Sequence, residues 1–225
     1  MAKLSIIIPV FNEATVIEEQ LRALQHFRDR NVELIVADGG SEDHTAKLAE
    51  HLADRVVVSK PGRAHQMNRG SQVAKGEVFL FLHVDTALSC DAFLELQKVL
   101  AHGHFSWGWF DVRLSNTARA YRIIGAFMNI RARLTSVCTG DQSLIVSRQL
   151  FNRLRGFPEI SLMEDIAISK LLRQVAKPWT CDKHVIVSTR RWEQRGLVRT
   201  ILLMWKLRFL YFLGVSTDRL ASLYH

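Results

Sequence analysis

The first 85 residues alternate between short apolar runs rich in β-branched residues and segments whose apolar residues recur at helical spacing. The apolar runs predict strands at 4–8, 32–37, 56–58 and 78–82. The segments between them predict three helices: one carrying Ile17, Leu21 and Leu24 behind a Thr15–Glu18 capping box, one at 45–53 and one at 65–74. This repetition predicts an α/β fold with a doubly wound, mostly parallel sheet, whose ligand lies at the carboxyl ends of the strands.

Polar residues cluster directly after three of the predicted strands. They are Pro9-Val10-Phe11-Asn12-Glu13, Asp38-Gly39-Gly40-Ser41-Glu42-Asp43 and His83-Val84-Asp85. A single carboxylate at a strand end is as well explained by an ordinary helix cap. Three such clusters at one edge of a sheet favour a ligand-binding site.

The second cluster pairs a carboxylate with two glycines. Gly39 and Gly40 allow a tight turn and a close backbone approach to a ligand, and Asp38 is expected to point its oxygens into the crevice. The alternative is a glycine-rich turn that Asp38 caps. No G-x-G-x-x-G follows the first strand, which argues against a dinucleotide-dependent dehydrogenase.

The third cluster has the pattern of a divalent-metal site. Alternate residues on a strand share a face, so His83 and Asp85 are expected to point the same way. A carboxylate beside phosphate oxygens suits Mg²⁺ or Mn²⁺, which makes Asp85 the stronger ligand candidate. His83 has an alternative role as an ordinary hydrogen-bonding histidine.

Charged residues elsewhere complete the candidate site. Arg63 precedes the third helix, where helix amides favour an anion such as a diphosphate, or is a solvated surface residue. Glu164-Asp165 opens a further helical pattern, where acidic residues also simply complement the helix dipole. Arg190-Arg191-Trp192 could clamp a phosphate and stack on a substrate, or form a solvated basic turn with a packed indole.

The chain resembles family-2 glycosyltransferases of the GT-A fold over residues 3 to 192. The motifs that carry the resemblance occur in order: Pro9-x-Phe11-Asn12-Glu13, Asp38-Gly39-Gly40-Ser41-x-Asp43-x-Thr45, Arg63, Asp85, Glu164-Asp165 and Arg191-Trp192. His-x-Asp-Thr, Gly-Asp-Gln and Arg-Arg-Trp-Glu motifs resemble in particular a small bacterial branch of this family. The resemblance implies a Rossmann-like three-layer sandwich with a nucleotide-sugar half (1–100), an acceptor half (101–192) and a C-terminal amphipathic helical segment (193–225).

The resemblance also implies roles for individual residues. Nucleotide binding falls to Pro9, Phe11, Glu13, Asp38, Gly39 and Arg63. Asp85, with His83 beside it, would hold Mg²⁺ or Mn²⁺ under the diphosphate, and Asp165 would be the catalytic base with Glu164 next to it. Contacts with the diphosphate and the acceptor fall to Arg190, Arg191, Trp192, Asp141 and Gln142.

Two departures from the family pattern bear on the chemistry. His83 occupies the first position of the usual Asp-x-Asp metal motif, and Ser188 stands where the synthase-type motif has Gln. We therefore keep two alternatives: a nucleotidyltransferase acting on a sugar phosphate, and a non-catalytic, membrane-binding relative. Glu164-Asp165 argues against the former, because activation of a sugar phosphate needs no base for an acceptor hydroxyl.

Positive charge is concentrated near the C-terminus. The net charge is +8, and residues 183–225 carry eight basic and two acidic side chains. The apolar stretch 197–215 has Lys206 and Arg208 near its middle, which favours a helix lying on a membrane surface over one that spans it. The alternatives are a helix that packs on the core and a homodimer contact. A membrane surface would suit a lipid-linked acceptor hydroxyl.

Three kinds of motif that would indicate other partners or compartments are missing from the sequence. No recognised nucleic-acid-binding motif accompanies the charge, so nucleic acid is not an expected partner. Three cysteines without a C-x-x-C pair indicate neither a zinc ribbon nor a disulfide framework. With no signal-peptide pattern at the start of the sequence, we expect a cytoplasmic protein, peripheral on the inner face of the cytoplasmic membrane.

Overall fold

One mixed sheet forms the centre of the fold. The computed structural model describes residues 4–224, apart from the side chains of Arg191 and Arg195, and within that range the sheet has eight strands. These are β1 (Leu4–Val10), β2 (Val32–Asp38), β3 (Arg55–Val58), β4 (Val78–Phe81), β5 (Thr86–Leu88), β6 (Trp107–Leu114), β7 (Ile145–Ser147) and β8 (Trp179–Val187). Their order is β3-β2-β1-β4-β7-β6-β8-β5, with β7 and β5 antiparallel to their neighbours. The predicted mostly parallel α/β sheet is confirmed.

Helices cover both faces of this sheet. They are α1 (Ile17–Leu24), α2 (Thr45–Ala49), α3 (Arg63–Val73), α4 (Cys90–Ala101), α5 (Arg119–Thr135), α6 (Arg148–Arg153), α7 (Glu164–Val175), α8 (Arg190–Arg195), α9 (Leu197–Phe212) and α10 (Thr217–Tyr224). Ile6 and Ile8 pack with α1, α2 and α4, whereas Ile7 packs with α3, α6 and α7. Because successive strand residues point to opposite faces, β1 is buried on both sides, as a central strand of a three-layer sandwich must be.

Strand register brings the functional loops to one edge of the sheet. Val10, the last residue of β1, is paired with Asp38, the last residue of β2. On the other side of β1, Ile7 is paired with Phe81 at the end of β4. The loops that follow these three strands therefore leave the sheet side by side.

Pairing of β5 with β8 adds a fourth loop to this edge. Thr86 is paired with Val187, and the backbone N–H of Ser188 donates to the carbonyl of Asp85 at 2.9 Å. The chain then enters α8 directly. Arg190, Arg191 and Trp192 thus lie on a short helix rather than at a strand end.

Two local predictions differ from the structure. The N-cap of α1 is Val16 and no side chain caps it, so the predicted Thr15–Glu18 capping box is absent from this described part of the chain. The backbone N–H groups of Val16 and Ile17 instead donate to the carbonyl of Glu13. Helix α2 also ends at Ala49, four residues before the predicted end.

The C-terminal segment folds as three helices where one amphipathic helix was expected. Gly214, at φ +83, turns the chain between α9 and α10, a left-handed conformation that glycine adopts without steric penalty. Leu207 of α9 and Leu220 of α10 are fully buried against Met163 and neighbouring residues. The segment is therefore part of the same folded unit, and the predicted boundary at residue 192 falls inside α8. No helix among the described residues is both long and apolar enough to cross a bilayer.

Candidate active site

Two loops at the sheet edge are tied together by side chains of the Asp43-x-Thr45 motif. The Thr45 hydroxyl accepts a hydrogen bond from the backbone N–H of Glu13 at 2.8 Å. Asp43 accepts from the N–H of Ala14 at 3.0 Å. These bonds hold the loop after β1 in a fixed shape, which presents the Phe11 ring, 48 % exposed, to solvent. Asp43 and Thr45 thus position the loop after β1, and neither is among the residues that line the two cavities described below.

Asp38 does not point into the crevice as predicted. Its side chain is 1 % exposed, and one carboxylate oxygen accepts hydrogen bonds from the N–H groups of Gly40 and Ser41, both at 2.7 Å. The other oxygen is buried and has no hydrogen-bond partner among the described residues. The alternative weighed for this motif, a glycine-rich turn that Asp38 caps, is the arrangement in the structure.

Gly39 and Gln66 form the floor beneath the Phe11 loop. The Gln66 amide, 3 % exposed, donates to the carbonyl of Val10 at 2.5 Å and to that of Ala37 at 3.2 Å, which joins the ends of β1 and β2. A Cβ on Gly39 would lie 3.0 Å from the Gln66 amide and 3.4 Å from the Phe11 ring. Glycine is therefore needed at position 39 for close packing, and Gln66 is a site residue that the sequence analysis missed.

A first cavity, of about 580 Å³, opens above this floor. Its walls come from the loop after β1, the start of α3, the loop after β4, the start of α7 and helix α8. The predicted site residues that line it are Pro9, Phe11, Glu13, Arg63, His83, Asp85, Glu164 and Arg190. An exposed aromatic ring with charged groups beyond it suits a ligand that has a planar base at one end and phosphates at the other.

A second cavity, of about 510 Å³, adjoins the first. The predicted residues that line it are Arg63, His83, Asp85, Asp141, Asp165 and Trp192. Arg63, His83 and Asp85, together with Tyr224 of α10, line both cavities. These four residues therefore mark the point at which the two spaces meet.

Charges of both signs converge on that meeting point. Arg63 is the first residue of α3 and lies within electrostatic range of Glu164, Asp141 and Asp85. Its guanidinium sits at a helix N-terminus, where the helix dipole adds to its positive charge. This position suits a phosphate group that bridges the two cavities.

His83 is paired with Asp141 across the second cavity. The His83 Nδ1 atom lies 3.7 Å from an Asp141 carboxylate oxygen, and the imidazole is buried. Burial alone would raise the pKa of Asp141, but the nearby His83 imidazole and the charges of Arg63 and Arg208 bring it below its usual value. The structure thus places His83 at ion-pair distance from Asp141 and on the wall that both cavities share.

The donor set at Asp85 fits a hard divalent cation held largely by its substrate. No group of three or more His, Cys, Asp or Glu side chains within the described residues forms a metal cluster. Mg²⁺ and Mn²⁺ sites in phosphate-binding proteins use one or two carboxylates plus phosphate oxygens and water. Asp85, at the meeting point with Arg63, meets that requirement.

Glu164 and Asp165 lie at the start of α7 and line different cavities. Glu164 is buried on the side of the first cavity, whereas Asp165 opens to the second. The Asp165 carboxylate accepts from the N–H of Gly140 at 3.0 Å and from that of Ile166 at 2.7 Å. Burial and the charge of Asp165 raise the pKa of Glu164, with Arg63 acting in the opposite sense. Asp165 is therefore a carboxylate fixed by two backbone hydrogen bonds, and Glu164 beside it has a raised pKa.

Helix α8 contributes side chains to both cavities. Arg190 lies 3.6 Å from Glu13 and lines the first cavity, and the Trp192 indole lines the second. The side chain of Arg191 lies outside the described part of the chain.

Gln142 does not contribute to either cavity. It is fully buried, and its carbonyl oxygen accepts from the N–H of Thr139 and from the Arg131 guanidinium, each at 3.2 Å. The structure therefore places it inside the Gly140–Gln142 turn, which it caps, and not beside the residues expected to contact the acceptor.

The comparison with known families agrees with this geometry. The model described as "Glycosyl transferase family 2" matches residues 5–155, well over half of the chain. The chain belongs to glycosyl transferase family 2.

Among curated relatives, this family-2 chain is similar to GalNAc(5)-diNAcBac-PP-undecaprenol beta-1,3-glucosyltransferase of Campylobacter jejuni. The two are 30 % identical over 112 residues, which is 46 % of this chain and 36 % of the relative. The chain therefore aligns with only about a third of that relative's length.

Solved structures resemble the fold over most of the chain. The S. aureus TarS 1-349 complex with UDP-GlcNAc has a TM-score of 0.66 and 20 % identity, covering 83 % of this chain and 58 % of that one. The mannosyltransferase PcManGT from Pyrobaculum calidifontis, in complex with GDP-Man and Mn²⁺, has a TM-score of 0.61 and 20 % identity, covering 82 % and 56 %. At this identity the likeness concerns the fold, and the predicted GT-A fold is correct.

Side chains of the C-terminal helices also line the second cavity, which sequence reasoning did not foresee. Arg199, Leu203, Met204 and Arg208 come from α9, and Tyr224 comes from α10. A basic and apolar helix of this kind gives no local signal that one of its sides closes a cavity. Only the packing of Leu207 onto the core reveals it.

Proposed function

We propose that this protein transfers a sugar from a nucleotide-diphosphate donor to an acceptor hydroxyl, with inversion at the anomeric carbon. The observation that carries the proposal is the position of Asp165, Asp85 and Arg63. Asp165 opens to the second cavity, and Asp85 and Arg63 lie where that cavity meets the first. A base, an anion-binding group and a metal-binding carboxylate thus surround one point.

In this proposal the donor occupies the first cavity. Its base lies against Phe11 above the Gly39–Gln66 floor, and its diphosphate reaches Arg63 and Arg190. A cation bound at Asp85, Mg²⁺ or Mn²⁺, would neutralise charge on the departing diphosphate. Arg63 and Arg190 bind and orient the same phosphates through charge-assisted hydrogen bonds.

The acceptor hydroxyl lies in the second cavity beside Asp165. Asp165 accepts the hydroxyl proton while the acceptor oxygen forms a bond to the anomeric carbon. The bond between that carbon and the diphosphate oxygen breaks, and its electron pair leaves with the nucleoside diphosphate. Such a positioned base typically contributes ~10²–10⁴-fold to the rate. The hydrogen bonds from Gly140 and Ile166 fix the carboxylate for this task.

The alternative reactions differ in their products. A panel of UDP- and GDP-sugars, incubated with the protein and either Mg²⁺ or Mn²⁺, should release nucleoside diphosphate from at least one donor. Release of pyrophosphate from a nucleoside triphosphate and a sugar phosphate would instead identify a nucleotidyltransferase. Binding of no nucleotide at all, by calorimetry, would favour a non-catalytic relative and overturn the proposal.

We further propose that the acceptor hydroxyl is lipid-linked and that the protein works on the inner face of the cytoplasmic membrane. The Campylobacter relative's name includes an undecaprenol-linked substrate. The second cavity supports such an acceptor, because Leu203, Met204 and Ile166 add apolar surface to its charged lining. Extracts of bacterial lipid, offered as acceptor with the donor found above, should yield a labelled lipid product.

A further inference from the structure

Helix α9 carries a row of exposed apolar side chains along its outer side. Val198, Leu202, Trp205, Phe209 and Phe212 recur every three or four residues, and each is more than half exposed. Residues at this spacing lie on one side of a helix. We refer to these five residues as the α9 stripe.

Helix α5 carries a second row of the same kind, which the sequence analysis did not single out. Ile123, Phe127, Ile130 and Leu134 follow the same spacing, and each is again more than half exposed. These four residues form the α5 stripe. Large apolar residues exposed in such numbers on two helices mark an interaction surface rather than scattered surface residues.

The two helices flank one buried cluster. Ile124 and Met128 of α5 and Leu197 of α9 pack against this cluster, which includes Tyr121 and Val187. Further along, the guanidiniums of Arg131 on α5 and Arg208 on α9 lie within electrostatic range of each other. The α5 and α9 stripes therefore lie on helices of the same region of the fold.

The two helices that carry the stripes hold charged residues of one sign, because neither α5 nor α9 contains an Asp or a Glu. At about 100° per residue, exposed Arg122 lies roughly a quarter turn from the α5 stripe, and Arg199 and Lys206 lie as far from the α9 stripe. Arg133, on the same side of α5 as Arg122, is paired with Asp111 of β6 at 2.9 Å. We infer that the two stripes together form a docking surface for a bilayer that contains anionic headgroups.

Charge decides between a bilayer and a second copy of the chain. In a two-fold dimer the same patch meets itself, so the arginines and Lys206 would face the same positive residues with no acid from either helix. Anionic headgroups complement these charges, while acyl chains receive the aromatic and aliphatic side chains. Trp205 has the amphipathic ring that is enriched at the boundary between the two.

The surface lies directly behind the second cavity. The inner side of α9 supplies Thr200, Leu203 and Met204 to the cavity that contains Asp165, while its outer side carries the stripe. A helix is ~10–12 Å across with its side chains, so a bilayer seated on the stripe would lie within that distance of the cavity wall. This last step rests on the proposed function; the docking surface itself does not.

Vesicle flotation of the full chain tests the surface. We expect binding to vesicles of phosphatidylcholine mixed with phosphatidylglycerol, weaker binding to phosphatidylcholine alone, and release by added salt. Phe127→Ser with Leu134→Ser on α5, and Trp205→Ser with Phe209→Ser on α9, should each weaken binding by about tenfold or more. The matched control, Leu94→Ser with Val175→Ser, alters exposed apolar residues on α4 and α7 and should bind as the wild type does.

Several outcomes would overturn the inference. One is wild-type protein that does not bind anionic vesicles. A second is an α5 variant that binds them as well as the wild type does. A third is a protein that binds no vesicles but forms a dimer in light scattering, which the α5 and α9 substitutions dissociate. Circular dichroism melting shows whether each variant is folded. Donor turnover, measured without vesicles, separates the two proposals. Wild-type protein that turns over no nucleotide-sugar donor would reject the transferase. Wild-type protein that turns over donor but does not bind vesicles would reject only the docking surface.

Discussion

Glu164 and Asp165 are consecutive residues whose carboxylates line different cavities: Glu164 the first and Asp165 the second. Met163, in the left-handed conformation at φ 71, turns the chain into α7 immediately before them. The first turn of the helix then directs the two side chains apart. One sequence motif thus supplies a carboxylate to each of the two proposed substrates.

Asp165→Asn should abolish sugar transfer while nucleotide affinity stays within about twofold of the wild type. The amide keeps an oxygen that can accept from the N–H of Gly140 or Ile166, but it cannot accept the acceptor proton. Loss of a general base lowers turnover by ~10²–10⁴-fold. Steady-state kinetics and calorimetry with the nucleoside diphosphate measure the two quantities. Asp182→Asn, an exposed residue of β8, is the matched control, and normal turnover in Asp165→Asn would reject the assignment.

Glu164→Gln should change how stability depends on pH. Burial and the charge of Asp165 raise the pKa of Glu164 above 4.5, although Arg63 and His83 act against this rise. The folded protein then binds the proton more tightly than the unfolded chain does, so wild-type stability is full below about pH 4.5 and falls as pH rises through the folded-state pKa. The variant has no such proton to lose, so it should gain stability relative to the wild type as the pH rises above about 4.5.

Urea unfolding at several pH values measures that relative gain. Glu50→Gln, an exposed residue, should follow the wild-type profile throughout. Parallel pH profiles for Glu164→Gln and the wild type would mean that Glu164 does not titrate differently in the folded state.

Much of the fold and of the site edge could be predicted because the signals are local. β-branched runs and helical spacing indicate the first strands and helices, and parallel strands place their following loops at one edge. Phe11 and Asp85 follow strands and Arg63 opens a helix after one, so their grouping follows from topology. Asp165 opens a helix that follows no strand, and its place beside them was implied only by the family resemblance.

The remaining features depend on contacts between distant parts of the chain. The burial of Gln142 follows from its hydrogen bond with Arg131, and that of Asp38 from the turn folding back over it. Gln66 reaches two strand ends at once, and α9 closes the second cavity by burying Leu207. No local pattern of residues encodes these tertiary contacts.

Asp85→Asn should lower donor turnover by ~10²-fold or more. Rates fall by about this factor when one preorganised group that stabilises charge in the transition state is removed. It should also raise the Mg²⁺ or Mn²⁺ concentration needed for half-maximal turnover, because a neutral amide is a weaker ligand for hard cations. Metal titrations of turnover measure both effects, with Asp29→Asn as an exposed control. An unchanged metal requirement would place the cation elsewhere.

Gln66→Leu should weaken both folding and donor binding. The substitution keeps a similar volume but leaves the carbonyls of Val10 and Ala37 without the amide donor that now bonds them. The Val10 carbonyl keeps its bond from the backbone N–H of Gly39, so the loss is that of ordinary hydrogen bonds, about 0.5–1.5 kcal/mol in the free energy of unfolding. Because the Gln66 amide also lies beneath Gly39 and Phe11, nucleotide affinity should fall as well.

Gln72→Leu on the same helix separates this effect from a general change in α3. Gln72 is exposed and bonded only locally, to Arg69, so its replacement should leave nucleotide affinity unchanged and stability within about 0.5 kcal/mol. Calorimetric titration with UDP and GDP at a temperature where both variants are folded compares them directly. If Gln66→Leu were less stable but bound nucleotide as tightly as Gln72→Leu, the prediction for nucleotide binding would be wrong. Gln66 would then join the two strand ends without contributing to the site of the base.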